Sequence, residues 1–174
     1  MYKYFYWAIS IIPIFHLMAN PCTPNLQLGA ASFLEQEKTL TISQTTDCAV
    51  IDWDSFSIDF GETVVFQQLG VDSVALNRVT GANSSHIHGL LKGNGNLWLI
   101  NEKGIHIGSS GFIESGGFLA STLDISNESF LDKKELTFSS KEQGCLCNQG
   151  SVVVSSGDII LLSRAIHDEG QLVA

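Results

Sequence analysis

Asn148-Gln149-Gly150-Ser151-Val152-Val153-Val154 is echoed 20 residues later by Asp168-Glu169-Gly170-Gln171-Leu172-Val173-Ala174. Between the two copies lies one further strand pattern, Asp158-Ile159-Ile160-Leu161-Leu162. A period near 20 residues, made of strands and tight turns, predicts a parallel β-helix, in which each coil buries its inward residues on the next. The inward residues are the apolar ones that alternate with Ser and Gly. The chain reaches Ala174 inside such a strand pattern. An open strand edge and an uncovered apolar stack normally need a cap, so the expectation is a fragment of a longer protein.

The rest of the chain agrees with this frame. Short strand signals are many: Ala49–Trp53, Phe56–Phe60, Thr63–Phe66, Val74–Val79, Leu97–Ile100, Ile105–Ile107 and Phe118–Ala120. Gly61-Glu62 forms a turn, and Gly, Asn and Ser fill the other gaps. No segment beyond the first twenty residues shows helical periodicity. The 174 residues suit one domain, with 44% hydrophobic residues, 16 Gly and only three Pro, which excludes disorder and reads as all-β. The net charge of −9 repels phosphate backbones and anionic membrane surfaces, so nucleic acid is not an expected partner.

The amino terminus differs from the rest. Lys3 is the only charge before Glu35, and Tyr4 to Phe15 is an apolar stretch of signal-peptide length. Leu17-Met18-Ala19 supplies a cleavage site with a small residue before the cut. Residues 1–19 are therefore predicted to be a secretory signal peptide, and residues 20–174 the exported domain. Pro13 and the short apolar length argue against a spanning helix. Ala19-Asn20-Pro21 before Cys22 does not make a lipoprotein site.

Cys22, Cys48, Cys145 and Cys147 could form up to two disulfides in an exported chain, with three pairings open. Cys145 and Cys147 share a face if they lie on a strand, where a bridge between them would be strained. A longer link to Cys48 or Cys22 is more natural. No His follows that pair until His167, which argues against a Cys-x-Cys metal site. His86 and His88 form a His-x-His pair, but no third ligand lies within ten residues, and an ordinary loop is expected. Asp52, Asp54 and Asp59 sit among Trp53 and Phe56 and read as solvent-facing strand carboxylates. Serines lack a nucleophile elbow, and Gly93-Asn94-Gly95 is a turn without a following helix. No catalytic residue, metal or cofactor is expected. Asn83-Ser84-Ser85 and Asn127-Glu128-Ser129 fit the glycosylation acceptor pattern, a triplet that often arises by chance.

Five segments, in order, resemble the secretion domain of two-partner secretion exoproteins, the filamentous haemagglutinin N-terminal family, in its adhesin-like branch. They are Ile51–Ile58, Gly61–Gln68, Ala75-Leu76-Asn77-Arg78-Val79-Thr80-Gly81, Gly89–Ile105 and Gly117–Ser126. Asn77 and Arg78 stand in the family's Asn-Arg-Val strand. Asn101-Glu102-Lys103-Gly104 stands where the family has Asn-Pro-Asn-Gly. Asn101 and Gly104 are kept, and the turn loses the φ that Pro presets. The resemblance implies a right-handed parallel β-helix with capping strands at its amino-terminal end. It also implies export through the periplasm to a partner outer-membrane β-barrel transporter with periplasmic domains, and folding outside. Two other functions fit a secreted β-helix: a free-standing surface protein that binds a host-cell glycan or protein, and a polysaccharide-active enzyme, which needs clustered carboxylates.

Overall fold

The computed structural model describes residues 21–132 and 135–174. The expected signal peptide, residues 1–19, lies outside the described residues.

The chain winds through parallel coils with three faces. A hairpin opens the fold. In it β2 (Ala31–Gln36) runs antiparallel to β3 (Thr39–Gln44), while β1 (Asn25–Leu28) runs antiparallel to β4 (Cys48–Trp53). These antiparallel strands cover the edges of the first coil, which β3 and β4 begin, as the resemblance implied. The second coil is β5 (Thr63–Gln67), β6 (Val74–Val79) and β7 (Ser85–Ile87). The third is β8 (Leu90–Gly93), β9 (Asn96–Ile100) and β10 (Ile105–Ile107).

The fourth coil takes β11 (Phe112–Ser115) and β12 (Gly117–Ser121), then leaves the stack. It makes β13 (Asp124–Ile125), helix α1 (Asn127–Asp132) and β14 (Phe138–Ser139) before returning as β15 (Leu146–Asn148). The fifth coil is β16 (Ser151–Val154), β17 (Ile159–Leu162) and β18 (Ile166–Asp168), and β19 (Gln171–Val173) starts another. The first face is a seven-stranded sheet, the second a six-stranded one and the third a four-stranded one. Every coil-to-coil pairing is parallel.

The opening repeat predicts its own register. Ser151 pairs with Gln171 and Val152 with Leu172. Asn148 Nδ2 donates to Asp168 Oδ1, the equivalent residue 20 positions later, at 2.8 Å. Each of these two side chains also accepts the backbone N–H two residues on, Gly150 and Gly170 respectively. That is an Asx turn, which turns the coil corner without a regular hairpin.

Stacking converts the alternation into a core. Leu40, Val64, Leu91, Ile113 and Val152 are successive register partners on the first face, and all are buried. Full burial of such a side chain stabilises by roughly 1.5–3 kcal/mol, so each coil is held mainly by its neighbours. The second face is buried on both sides. Its outer residues Val50, Leu76 and Ile100 pack with Ile125 and Phe130 of the excursion. Phe130 meets Trp98 edge to face at 5.3 Å.

Three expectations change. Phe56–Phe60 makes only one isolated bridge, from Ile58 to Ile87, because the chain must reach the Gly61 turn (φ +79°); Phe56 and Ile58 are still buried, and Phe60 is 80% exposed. Helix α1 exists despite the absence of periodicity: at six residues it is held by Phe130 rather than by an amphipathic stripe. His86 lies on β7 and not in a loop.

Candidate functional site

The Asn101–Gly104 turn joins the second face to the third, between β9 and β10. Asn101 is fully buried. Its Nδ2 donates to Asn83 O and to Ser85 Oγ, each at 3.0 Å, and its Oδ1 accepts Lys103 N–H at 2.9 Å. Gly104 N–H donates back to Asn101 O at 3.1 Å, closing the turn. The bond to Lys103 organises the backbone as an Asx turn, the task that Pro performs in the family sequence.

Gly104 has φ +128°, a conformation L side chains rarely adopt, and a Cβ there would meet Cys145 O at 3.1 Å. The turn is thereby stacked between coils. Ser85 N–H donates to Gly104 O on one side, and Ile105 N–H donates to Cys145 O on the other. Only the outward parts of the turn remain free to be read. Lys103 Nζ meets Glu142 at 2.8 Å, in the bend between β14 and β15 where the excursion returns to the stack.

Asn77 and Arg78 are adjacent on β6 and point in opposite directions, as strand alternation requires. Asn77 points inward and is buried. Its Oδ1 accepts the Trp53 indole N–H at 3.0 Å, which makes a buried tryptophan tolerable in the first coil. Arg78 points outward under the excursion. It donates to Asp52 Oδ1 at 3.0 Å, Asp124 Oδ1 at 2.8 Å, Ile125 O at 2.6 Å and Asn127 Oδ1 at 3.0 Å. Burial works against its charge, but the hydrogen bonds and charges of Asp124 and then Asp52 outweigh this and raise its pKa above the ordinary value. One guanidinium fork thus ties the excursion to the coil stack.

The structure separates the other sequence candidates. All four cysteines are free thiols. Cys48 begins the first-coil strand β4, and Cys147 lies in the fourth coil on another face. Three coil steps of about 4.8 Å exceed the Cα separation a disulfide spans, so the longer link is out of reach. Cys22 is held at the far end of β4, with its Sγ 3.0 Å from Ser55 Oγ. Cys145 and Cys147 are close neighbours. Burial, and then a hydrogen bond and charge from Cys145, push the Cys147 thiol up. Of the carboxylates, Asp52 neutralises Arg78 rather than facing solvent alone. Asn127, an acceptor-pattern residue, is engaged by Arg78.

Asp124 was not singled out from the sequence, and Ser85 only within an acceptor triplet. His106 was not either, yet it is the register partner of His86, twenty residues earlier, with ring centroids 5.7 Å apart, and His88 lies 5.9 Å from it.

The chain is a stacked β-solenoid with an antiparallel cap at its amino-terminal end and a buried Asn-Gly corner. It superposes on the crystal structure of the HMW1 secretion domain from Haemophilus influenzae with a TM-score of 0.84 and 33% identity, covering 88% of this chain and 42% of that one. The family model of the TPS secretion domain matches residues 22–174, and the chain belongs to that family. Two heme/hemopexin-binding proteins of Haemophilus influenzae are similar as well. One is 38% identical over 105 residues, 60% of this chain and 12% of the relative. The other is 43% identical over 86 residues, 49% and 9% respectively. The chain therefore spans about a tenth of these curated relatives.

Proposed function

We propose that this chain starts both the export and the folding of a longer exoprotein. Its signal peptide carries it to the periplasm, a partner outer-membrane β-barrel transporter receives it there, and it then nucleates a β-helix at the cell surface. The family match over residues 22–174 is the observation that carries this proposal. The coil architecture supports the folding half. Each coil rests on the one before it, so a folded coil lowers the cost of adding the next. Folding outside would bias transport outward without ATP. An unfolded, strand-rich chain can also add to a sheet edge on the transporter by β-augmentation. Ligand binding by the whole exoprotein, including anything like the activity named for the heme/hemopexin-binding relatives, would reside beyond this domain.

The test is co-expression with a candidate transporter, followed by assay of medium and periplasm. The chain should reach the medium only when the transporter is present. Equal export with and without it would overturn the proposal. Lys103→Ala separates recognition from stability, because it alters the exposed side of the corner and leaves the Asn101 bonds in place. Blocking the strand edge with prolines in Val64–Phe66 should reduce transporter binding, and unchanged binding would remove the β-augmentation step.

A further inference from the structure

The outer side of the first face carries a groove of about 650 Å³, apart from the Asn101–Gly104 corner and the excursion. Its floor crosses β5, β8, β11 and β16. Val65, Lys92, Glu114 and Val153 are successive register partners along it. A strand spacing of about 4.8 Å makes this row about 14 Å long. Phe112 stands on one side of the row, 40% exposed, and Gln67 stands on the other. Phe112 also lines a second hollow, of about 480 Å³, at the corner before β11.

The floor offers no strand edge. Strand β5 pairs with β3 and β8, β8 with β5 and β11, β11 with β8 and β16, and β16 with β11 and β19. The backbone is therefore hydrogen-bonded within the sheet, and an extended peptide cannot add a strand here. Recognition must come from side chains. Among the described residues, Lys92 and Glu114 are the only charges lining the groove, and Lys92 Nζ meets both Glu114 oxygens at 3.2 Å. Both side chains are about half exposed. The pair is neutral as a whole, yet it presents donors and acceptors side by side. Gln67 Oε1 accepts the Ser43 hydroxyl at 3.1 Å, which leaves its Nε2 as a further donor. Val65, Phe112 and Val153 supply apolar surface.

This lining selects among ligands. A wholly apolar ligand would cover the ion pair without replacing its water. An anionic one would meet the field of a chain with net charge −9. A cationic one would find the groove's carboxylate already neutralised. A neutral sugar has what is needed: a C–H face for an aromatic ring, and hydroxyls that both donate to a carboxylate and accept from an ammonium. Clefts of this size, mostly apolar with a few placed polar groups, are the usual form of a small-ligand site.

We propose that this groove binds an uncharged oligosaccharide, with Phe112 as the platform for a sugar ring and Lys92, Glu114 and Gln67 as hydroxyl partners. Four successive coils assemble the groove, so it exists only in the folded domain. It is a property of this domain alone and is independent of export, which the transporter experiment tests separately.

The experiment is binding of the purified chain to an array of immobilised neutral and sialylated glycans, followed by calorimetry with the neutral glycans retained. Neutral glycans should be retained and their sialylated counterparts held more weakly. Phe112→Ala should weaken binding by about tenfold or more. Glu114→Gln keeps the side-chain shape but unmasks the Lys92 charge, so it should weaken neutral-glycan binding and raise retention of sialylated glycans. Leu131→Ser, at a 45% exposed position on helix α1, should bind as the parent does. Thermal melts show that each variant is folded. The proposal is overturned if no neutral glycan is retained, or if folded Phe112→Ala keeps parent-like affinity. Binding of asialofetuin that persists after enzymatic removal of its glycans would also overturn it, by placing a protein surface in the groove.

Discussion

Asn101→Ala tests whether the corner is a structural joint as well as a surface feature. The side chain makes three hydrogen bonds, and it is fully buried. Truncation leaves Ser85 Oγ, itself completely buried, without the amide that ties it to the next coil. An abandoned buried group costs about 1–3 kcal/mol. The Asn83 carbonyl and Lys103 N–H are only part-buried and can recruit water, so each adds about 0.5–1 kcal/mol. The sum is about 3 kcal/mol. Urea denaturation of the purified chain should show an unchanged slope and a midpoint lower by about 1–3 M, given slopes of about 1–3 kcal/mol per M. Lys103→Ala in parallel should move stability by less than about 0.5 kcal/mol, because its pair with Glu142 is substantially exposed. A loss below about 1 kcal/mol for Asn101→Ala would refute the claim that this side chain joins the coils.

Other substitutions probe the neighbouring joints. Gly104→Ala should cost about 1–3 kcal/mol through its φ of +128°, measurable as a lower melting temperature, and a neutral result would contradict the turn geometry. Arg78→Met should destabilise by about 1–3 kcal/mol, discounted because Asp124 is 37% exposed. Hydrogen exchange should quicken selectively in residues 124–132 and 135–139, and Arg78→Lys should not restore it, because an ammonium cannot serve four acceptors spread around a fork. NMR titration should place the His106 midpoint below 6.5 and move it upward in His86→Gln. Since the folded form binds its proton later than the unfolded one, stability falls as pH drops through about 6.5 toward the folded pKa; His106→Gln should flatten that dependence. A His106 midpoint at or above 6.5 would contradict the crowding of the rings.

The β-helix was legible where coil length stays constant. Asn148 and Asp168 are both corner residues, so the same chemistry recurs after 20 positions and exposes the period. Earlier coils hide it, because turns of different length change the step: Thr39 pairs with Thr63, but Thr63 pairs with Leu90. Thr39–Gln44 alternates cleanly, with Leu40 and Ile42 inward, and could have been read as a strand. The excursion could not. Its helix is too short to carry a period and is specified by what Phe130 and Arg78 touch. The cysteines show the limit of spacing arguments: pairings that look natural along the chain are separated by rungs of the solenoid. The same logic runs the other way for His106. Applying the 20-residue step to His86 would have found it.

The solenoid also explains why Asn101 and Gly104 are kept at a corner while Glu102 and Lys103 are not. A face residue in a stacked coil is constrained by the residues directly above and below it, so its identity reports packing. A corner must reverse direction in a few residues while three coils press against it. Asn101 and Gly104 meet that demand with buried bonds and a glycine-only backbone, which leaves Glu102 and Lys103 free to vary on the outside. The departure from Asn-Pro-Asn-Gly therefore falls on the two positions that the fold does not need. If a transporter reads this corner, it must either read backbone shape, which is kept, or read side chains, which have changed. Exchange of Glu102-Lys103 for Pro-Asn separates these. Unaltered export with the chain's own transporter points to shape. Export that improves with a transporter from an Asn-Pro-Asn-Gly relative, and worsens with its own, points to side-chain readout.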